Sequence, residues 1–554
     1  MPMLARRRRH ATLARGLACA STLLFGLASC GDDTGETVTP PAPISYAQPG
    51  SLSAASGKGS FQFGAASAAT QIEDQNENTD WWIYTAPEAQ GGLAKGEFVG
   101  DASMGYSKAI EDVAIIKELG LDSYRFSIEW ARIEPERDLI DEAALAHYSD
   151  FIDALLSEGI EPVVTIHHFS NPVWVDDPRD LDCVNGPTDT NLCGFDHPEG
   201  SLEIIEEFRE HAALLAERFG DRVDTWGTMN EPVNYLLAGY GAGYFPPGKR
   251  YLLSEENLLG KFVPVVRTYL RMHAAAYGAL DELDTVDADG DGDAASIGLT
   301  LSVGVWKPAR NNAPSEDPAD VEGARRVEYV YHHLFVDAVR QGKFDPDLDG
   351  TLDEELPEIG GTIEWLGVQY YFRTGVTAQN GLIPVLGVTP CFGFFDFGSC
   401  LPPVDATHCV PTMKYEYYEP GIYEVLRDFS GRWPDLPMVV SESGIATELG
   451  TRRAEHVVRS LEQIQRAIDE GSDVRGYFHW SLYDNFEWAE GYHPRFGLYT
   501  VDYTTYARSP TEGATVLAEI AKARELTSEQ RQTYGGTGPM TPEPGYEAGP
   551  TCAY

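Results

Sequence analysis

The sequence predicts an α/β fold: a single (β/α)8 barrel of the TIM type with loop insertions, preceded by an export segment and a linker. Three observations predict it. Residues 59–525 repeat one pattern eight times, a short β-rich run followed by an amphipathic stretch. Several of these runs are continuously apolar, as parallel strands buried on both faces must be. No GxGxxG and no GxxxxGK[ST] segment occurs, which disfavours the phosphate-binding turn of an open doubly wound sheet. The length, 554 residues, suits one large barrel with insertions.

The chain begins with export signals. Arg6 to Arg9 and Arg15 form a basic region, and residues 17–28 are apolar. A run of about a dozen residues fits a signal peptide and is too short to span a bilayer. It ends Leu27-Ala28-Ser29-Cys30-Gly31, which resembles a bacterial lipobox in which Cys30 becomes the lipidated N-terminus. Residues 1–29 are therefore read as a lipoprotein signal peptide. Residues 30–58, rich in Gly, Pro, Ser, Thr and Ala, are read as a lipidated tether. The expected location is lipid-anchored to a bacterial membrane, on its periplasmic or cell-surface face. The competing readings are an ordinary cleaved signal and twin-arginine export.

Charge narrows the partners. Lys plus Arg is 41 against 86 for Asp plus Glu, a net charge of -45, and loss of residues 1–29 removes five further arginines and no acid. Such a surface repels nucleic acid and anionic headgroups, leaving the N-terminal lipid as the only expected membrane contact. A hydrophobic share of 43% with 23% charged residues excludes a disordered chain and a multi-span membrane protein.

Six cysteines remain after Cys19 and Cys30 are set aside: Cys183, Cys193, Cys391, Cys400, Cys409 and Cys552. An even count in an exported chain favours disulfides, and six cysteines allow 15 pairings. Cys183 and Cys193 flank a turn-rich loop and form the first candidate pair. Cys391 with Cys400 is the second, and Cys409 with Cys552 follows by elimination. Zinc competes, but no CxxC spacing occurs.

The β-like runs are 61–66, 123–128, 162–168, 225–230, 297–303, 365–371, 438–441 and 474–480. The helical stretches lie near 105–119, 142–158, 201–219, 254–282, 319–340, 420–430, 451–470 and 511–525. Gly120, Gly159, Gly220 and Gly471 mark helix ends. Residues 526–554, rich in Gly, Pro, Thr and Glu, read as a tail laid over the barrel or left mobile.

Barrels of this type do their chemistry at the C-terminal ends of their strands. Gln71 follows the first run, and Arg125 and Trp130 belong to the second. The third ends in His167-His168, the fourth in Asn230-Glu231, and the sixth in Gln369-Tyr370-Tyr371. The seventh ends in Ser441-Glu442-Ser443-Gly444. The eighth ends in Trp480 and runs on to Asp484, Asn485, Glu487 and Trp488. Carboxylates, amides, an imidazole, a guanidinium and indoles at one mouth suit a sugar. A lone glutamate at a strand end is ordinarily a salt-bridge partner. Two across one barrel mouth meet the need of glycoside hydrolysis for an acid and a nucleophile or base.

The segments FQFGAASAATQIED, YRFSIEWARIEP, VTIHHFSNPVWV, TMNEP, VSESG, HWSLYDNFEWAEGY and RFGLYTVDY resemble, in order, those of glycoside hydrolase family 1, the β-glucosidase family. The resemblance runs from about residue 61 to about residue 525. It implies a retaining, exo-acting β-glycosidase, foremost a β-glucosidase, that needs no cofactor for catalysis and takes a β-linked oligosaccharide or glycoside. Glu231 matches the general acid/base and Glu442 the nucleophile, with carboxyl groups expected roughly 5–5.5 Å apart. Asn230, Arg125 and Tyr371 match the supporting groups. Gln71, His168, Trp480, Glu487 and Trp488 match the sugar-binding set, and Phe496 is a candidate wall. Glu487 implies unphosphorylated sugars, because a carboxylate repels phosphate. The sequence departs from the family at Ser443 and Gln369, where Asn is usual. His167 and Tyr370 read as packed residues, Trp130 as core or cleft, and Asp484 and Asn485 as supports.

Two acidic loops resemble the opening of a calcium loop: Asp287, Asp289 and Asp291 with Gly292, and Asp345, Asp347 and Asp349 with Gly350. Neither has Glu at loop position twelve, although Glu355 comes one place early in the second. The first reads rather as a solvated acidic turn, and the second reads equally as one or the other. Rival readings are a β-galactosidase, β-fucosidase or transglycosylase on the same frame, a non-catalytic sugar-binding lipoprotein, and a calcium-dependent adhesion lipoprotein.

Overall fold

Eight parallel strands close into a ring in the computed structural model, which describes residues 40–391, 393 and 397–553. The signal segment, Cys30 and residues 31–39 lie outside the described residues. The strands are β1 (Gln62–Ala66), β2 (Ser123–Ser127), β3 (Glu161–His167), β4 (Thr225–Asn230), β5 (Ser296–Arg310), β6 (Trp365–Thr377), β7 (Met438–Ser443) and β8 (Val474–Trp480). Each pairs in parallel with the next, and β8 closes on β1 with Gly476 opposite Gln62 and Trp480 opposite Ala66. Every predicted run overlaps one strand. Only β5 and β6 run well past their predicted ends, and they stay paired there, Pro308 opposite Val376.

The helices form the outer layer: α1 (Gly105–Leu119), α2 (Glu142–Ser157), α3 (Gly200–Phe219), α4 (Val263–Leu283), α5 (Pro318–Glu328), α6 (Pro420–Arg432), α7 (Gly450–Asp469) and α8 (Glu512–Ala523). A wide π turn over Tyr329–His333 carries α5 on into Leu334–Gln341. Local chemistry sets the ends. Asp141 accepts from the amides of Ala143 and Ala144 to start α2. Asp317 accepts from Ala319 before Pro318 opens α5.

The barrel floor is an apolar plug. Val163, Trp365, Val439 and Phe478 meet there, with Leu52 packed against them. The large rings fit because the facing strands are bare. A Cβ on Gly64 would lie 2.4 Å from the Phe478 ring, and one on Gly298 would lie 2.4 Å from Trp365.

Leu52 corrects the tether expectation for residues 30–58. The described part of that stretch is docked. Ile44–Ser45 pairs antiparallel with Glu525–Leu526, Tyr46 and Leu52 are buried, and Arg475 donates to the carbonyls of Ser51 (3.2 Å) and Ala54 (2.7 Å). The reason is local: two buried side chains and one cation suffice to anchor a segment that lacks periodicity.

The tail is laid over the barrel. It forms helix α9 (Ser528–Tyr534) and is held by Arg459 donating to Gly538 O at 2.7 Å and Arg452 donating to Thr541 O at 2.9 Å. Three disulfides join Cys183 to Cys193, Cys391 to Cys400, and Cys409 to Cys552. The last pins the tail to the β6–α6 connection.

Candidate active site

Asn230 and Glu442 sit at the centre of the barrel mouth, at the ends of β4 and β7. The Asn230 Oδ1 accepts from Arg125 Nη2 (2.6 Å), Gln369 Nε2 (2.8 Å) and Thr300 Oγ1 (2.9 Å). The Glu442 Oε1 accepts from Arg125 Nη1 (2.5 Å) and Gln369 Nε2 (2.7 Å), while its Oε2 accepts from the Tyr371 hydroxyl (2.7 Å). Arg125 and Gln369 thus each bridge the amide and the carboxylate. Gln369 reaches both because it carries one more methylene than asparagine. Ser443, the other departure, donates to Tyr370 O at 3.1 Å and stands near His456, facing away from this network.

Glu231 is built differently. The chain turns from β4 into the short helix Pro232–Leu236 at Glu231, whose φ is 41°, a left-handed conformation that costs a non-glycine residue about 1–3 kcal/mol. Its amide donates to Thr300 O at 2.9 Å, which anchors the strained turn to β5. Asn234, one helical turn on, donates to Glu231 Oε2 at 2.7 Å.

These surroundings separate the two acids. Burial, then repulsion from Glu442, pushes Glu231 up to about 8. Burial also raises Glu442, but Arg125 and the Tyr371 hydroxyl oppose it. At Glu442 a directly bonded cation and a phenol favour the carboxylate; at Glu231 the Asn234 amide, the Ser302 hydroxyl and the more remote Arg125 only partly offset burial and the Glu442 charge. The shared proton therefore resides on Glu231 and the negative charge on Glu442. This polarity suits a carboxylic acid that gives a proton beside a carboxylate that attacks.

Of the eleven predicted site residues, nine line a cavity of about 200 Å³: His168, Asn230, Glu231, Tyr371, Glu442, Trp480, Glu487, Trp488 and Phe496. His168 stacks against both Trp480 and Trp488, with ring centroids 5.9 Å apart in each case. Burial and then Arg125 hold its pKa well below the usual range, so the ring is neutral at ordinary pH. The Asn230 amide lies 3.1 Å from its Nε2. Burial, then Glu490 and Glu442, raises the Glu487 carboxyl well above its ordinary value. Phe496 stands edge-on to Tyr371.

The other two predicted residues, Arg125 and Gln71, stand beside the residues that line this cavity. Arg125 holds Asn230 and Glu442. Gln71 is fully buried; its Nε2 donates to Phe486 O (2.8 Å), Asn485 Oδ1 (3.3 Å) and Glu487 Oε2 (3.3 Å), while its Oε1 makes no hydrogen bond among the described residues. Trp130 is core, with its indole on Glu134 at 3.0 Å. His167 is a packed residue between Tyr269 and Asn171. Tyr370 donates to Tyr418 O, outside the ring of strands.

Sequence reasoning missed Asn234, Ser302, Tyr331, Phe372, Met413 and Tyr415, all of which line the cavity. Asn234 carried a signal, since a residue three beyond Glu231 shares its helix face. Tyr331 carried none, because it reaches the mouth from the π turn after α5. Its hydroxyl lies 3.1 Å from both Asn234 Oδ1 and Ser302 Oγ. Beyond these residues opens a second, mainly apolar chamber of about 360 Å³, walled by Leu237, Leu258, Val330, Ile383 and Leu386.

The sequence model of glycosyl hydrolase family 1 matches residues 55–526. A β-galactosidase of Pyrococcus woesei is 29% identical over 517 residues, covering 85% of this chain and 98% of its own. Beta-glucosidase 1B of Phanerodontia chrysosporium is 30% identical over 508 residues, covering 85% and 88%. Among solved structures, a β-glycosidase from Pyrococcus horikoshii superposes with a TM-score of 0.70 at 30% identity, covering 87% of this chain and 98% of that one. A β-glucosidase from Thermotoga maritima in complex with deoxynojirimycin gives 0.69 at 27% identity, covering 86% and 100%. The chain belongs to glycosyl hydrolase family 1 and is a retaining β-glycosidase.

Proposed function

We propose that this enzyme removes terminal β-D-glucosyl residues from glycosides, with Glu442 as nucleophile and Glu231 as general acid and then base. The observation that carries the assignment is the asymmetry of the two carboxyls: a guanidinium, an amide and a phenol on Glu442, and only the neutral Asn234 and Ser302 side chains on a raised, strained Glu231. Glu442 attacks the anomeric carbon as Glu231 protonates the departing oxygen. Water, deprotonated by Glu231, then releases the sugar. Asn230 and His168 are poised for the sugar hydroxyls, Trp480 and Trp488 for its C–H face, and Glu487 for the hydroxyls at the far end. The apolar chamber beyond Tyr331 would take a bulky apolar leaving group.

Hydrolysis of a panel of aryl β-glycosides tests the sugar preference, with glucoside ahead of galactoside and fucoside expected. Glu442→Ala should lose activity, and azide should rescue it with inverted product. Retention of wild-type rates by both Glu442→Ala and Glu231→Ala overturns the assignment.

The lipobox ending in Cys30 supports export and anchoring to a bacterial membrane, and three disulfides fit an oxidising compartment. No helix among the described residues is long and apolar enough to cross a membrane. Full-length protein should fractionate with membranes, and Cys30→Ala should release it. Membrane retention of that variant counts against the lipid anchor.

A further inference from the structure

We propose that Asp224, Asp287, Asp289 and Asp291 form a calcium site at the floor of the barrel, clamping the start of β4 to the loop that leads into β5.

The loop alone is an incomplete chelator. Asp287, Asp289 and Asp291 occupy its first, third and fifth positions, and position twelve holds Gly298 rather than an acid. The fold supplies a fourth carboxylate from outside the loop. Asp224 immediately precedes β4, and one oxygen from each of the four carboxylates lies within 4.8 Å of every other. That spacing matches the ion. Oxygens on opposite sides of calcium, each at about 2.4 Å, stand about 4.8 Å apart.

The independent observation is Asp224 itself. It is only 3% exposed, and neither carboxylate oxygen has a hydrogen-bond partner among the described residues outside the acidic loop itself. Asp291 Oδ2 is likewise buried and unpartnered. None of the four carboxylates pairs with a described Lys, Arg or His within 4.0 Å. A buried carboxylate facing three others, with no cation beside it, must either hold a proton or bind a cation, and a calcium ion would displace that proton. Meanwhile the loop's own amides shape it. Gly290 N and Gly292 N donate to Asp287 (2.7 and 3.2 Å), and Asp291 N donates to Asp289 (2.8 Å). These bonds leave room on each carboxylate for an ion.

The second acidic loop lacks this feature. Asp345 is fully buried, but Tyr329 OH (2.9 Å) and the amides of Gly350 (2.7 Å) and Asp349 (3.3 Å) satisfy it. The Glu134, Asp138 and Glu207 group also fails, because Arg137 neutralises Glu207. The assignment is therefore to the first loop alone, although Glu355 makes the second closer to the sequence pattern. Its place at the N-terminal end of the strands makes it structural. Ser296 N donates to Asp224 O at 2.7 Å, so an ion there would tie β4, β5 and the loop together.

Calorimetric titration of chelator-treated, full-length enzyme with calcium chloride tests this. One site is expected. Asp224→Asn should weaken binding at least tenfold. The exposed-loop variant Asp289→Asn, which spares the packed strand, should do the same while keeping wild-type kcat. Saturating calcium should raise the wild-type Tm by about 2 °C or more and leave Asp224→Asn unmoved. Magnesium should bind more weakly, since it demands a tighter octahedron. Absence of binding, full affinity in both variants, or equal affinity for magnesium would overturn the proposal.

Discussion

The two ends of the barrel are filled by the same eight strands yet obey opposite rules. At the floor, Leu52, Val163, Trp365, Val439 and Phe478 form an apolar cluster, and the Trp365 and Phe478 rings face bare glycines. At the mouth, Arg125, Asn230, Gln369 and Glu442 are equally buried but charged or amide-bearing, and each is held by the others. Glu231 adds a left-handed backbone, and Glu487 a raised carboxyl. The mouth costs free energy and the floor stabilises, so mutations at the two ends should separate activity from stability.

The largest effect should come from Glu442→Gln. It keeps the shape but removes the attacking oxygen anion, so kcat should fall by about 10⁴ or more while Tm holds or rises. A loss of Tm comparable to that of a core mutant would place Glu442 among the stabilising residues instead. Glu231→Gln should cost about 10²–10⁴ in kcat, least for glycosides with acidic aryl leaving groups, which need little protonation.

Glu231→Gln should also change how stability depends on pH. The folded pKa of Glu231, about 8, lies above its ordinary value of 4.5, so folding favours the protonated form. Its contribution is complete below about 4.5 and declines as pH rises through about 8. Glutamine cannot lose that proton. Denaturant titrations across this window should therefore show a shallower decline for the variant. Parallel curves would mean that Glu231 is not the group titrating.

At the floor, Leu52→Ala should lower stability by about 2–5 kcal/mol with kcat unchanged, as read by denaturant unfolding and initial rates. Leu52 is also where sequence reading and structure part most plainly. The barrel was legible because its strands are apolar runs and its catalytic residues end them. The segment 41–58 was not, since Gly, Ser and Ala carry no period and one leucine does the plugging. Residues such as Gln71 could be placed at the mouth from sequence, but whether they touch the cavity or stand behind it depends on packing. Tyr331 and Asp224 were illegible for another reason. Their partners are brought close only by closure of the ring, and nothing near them in sequence announces the encounter.

The smallest effect sharpens the comparison most, because it asks whether the mouth is tuned or merely assembled. Asn234 is the amide donor on Glu231, at 2.7 Å, and it favours the ionised form. Asn234→Ala removes that donor without touching Arg125, Gln369 or Tyr371. Glu231 should then hold its proton more tightly, and the alkaline limb of kcat/KM should move up by about one pH unit. The limb rises because the acid must stay protonated to act; with Glu231 raised to about 8, wild-type activity should fall as pH passes that value. kcat at its optimum should change less than tenfold, since general acid catalysis survives. A limb that stays fixed while kcat collapses would mean that Asn234 positions Glu231 rather than setting its proton affinity. The strained turn at φ 41° would then depend on the helix that follows it as well as on Thr300.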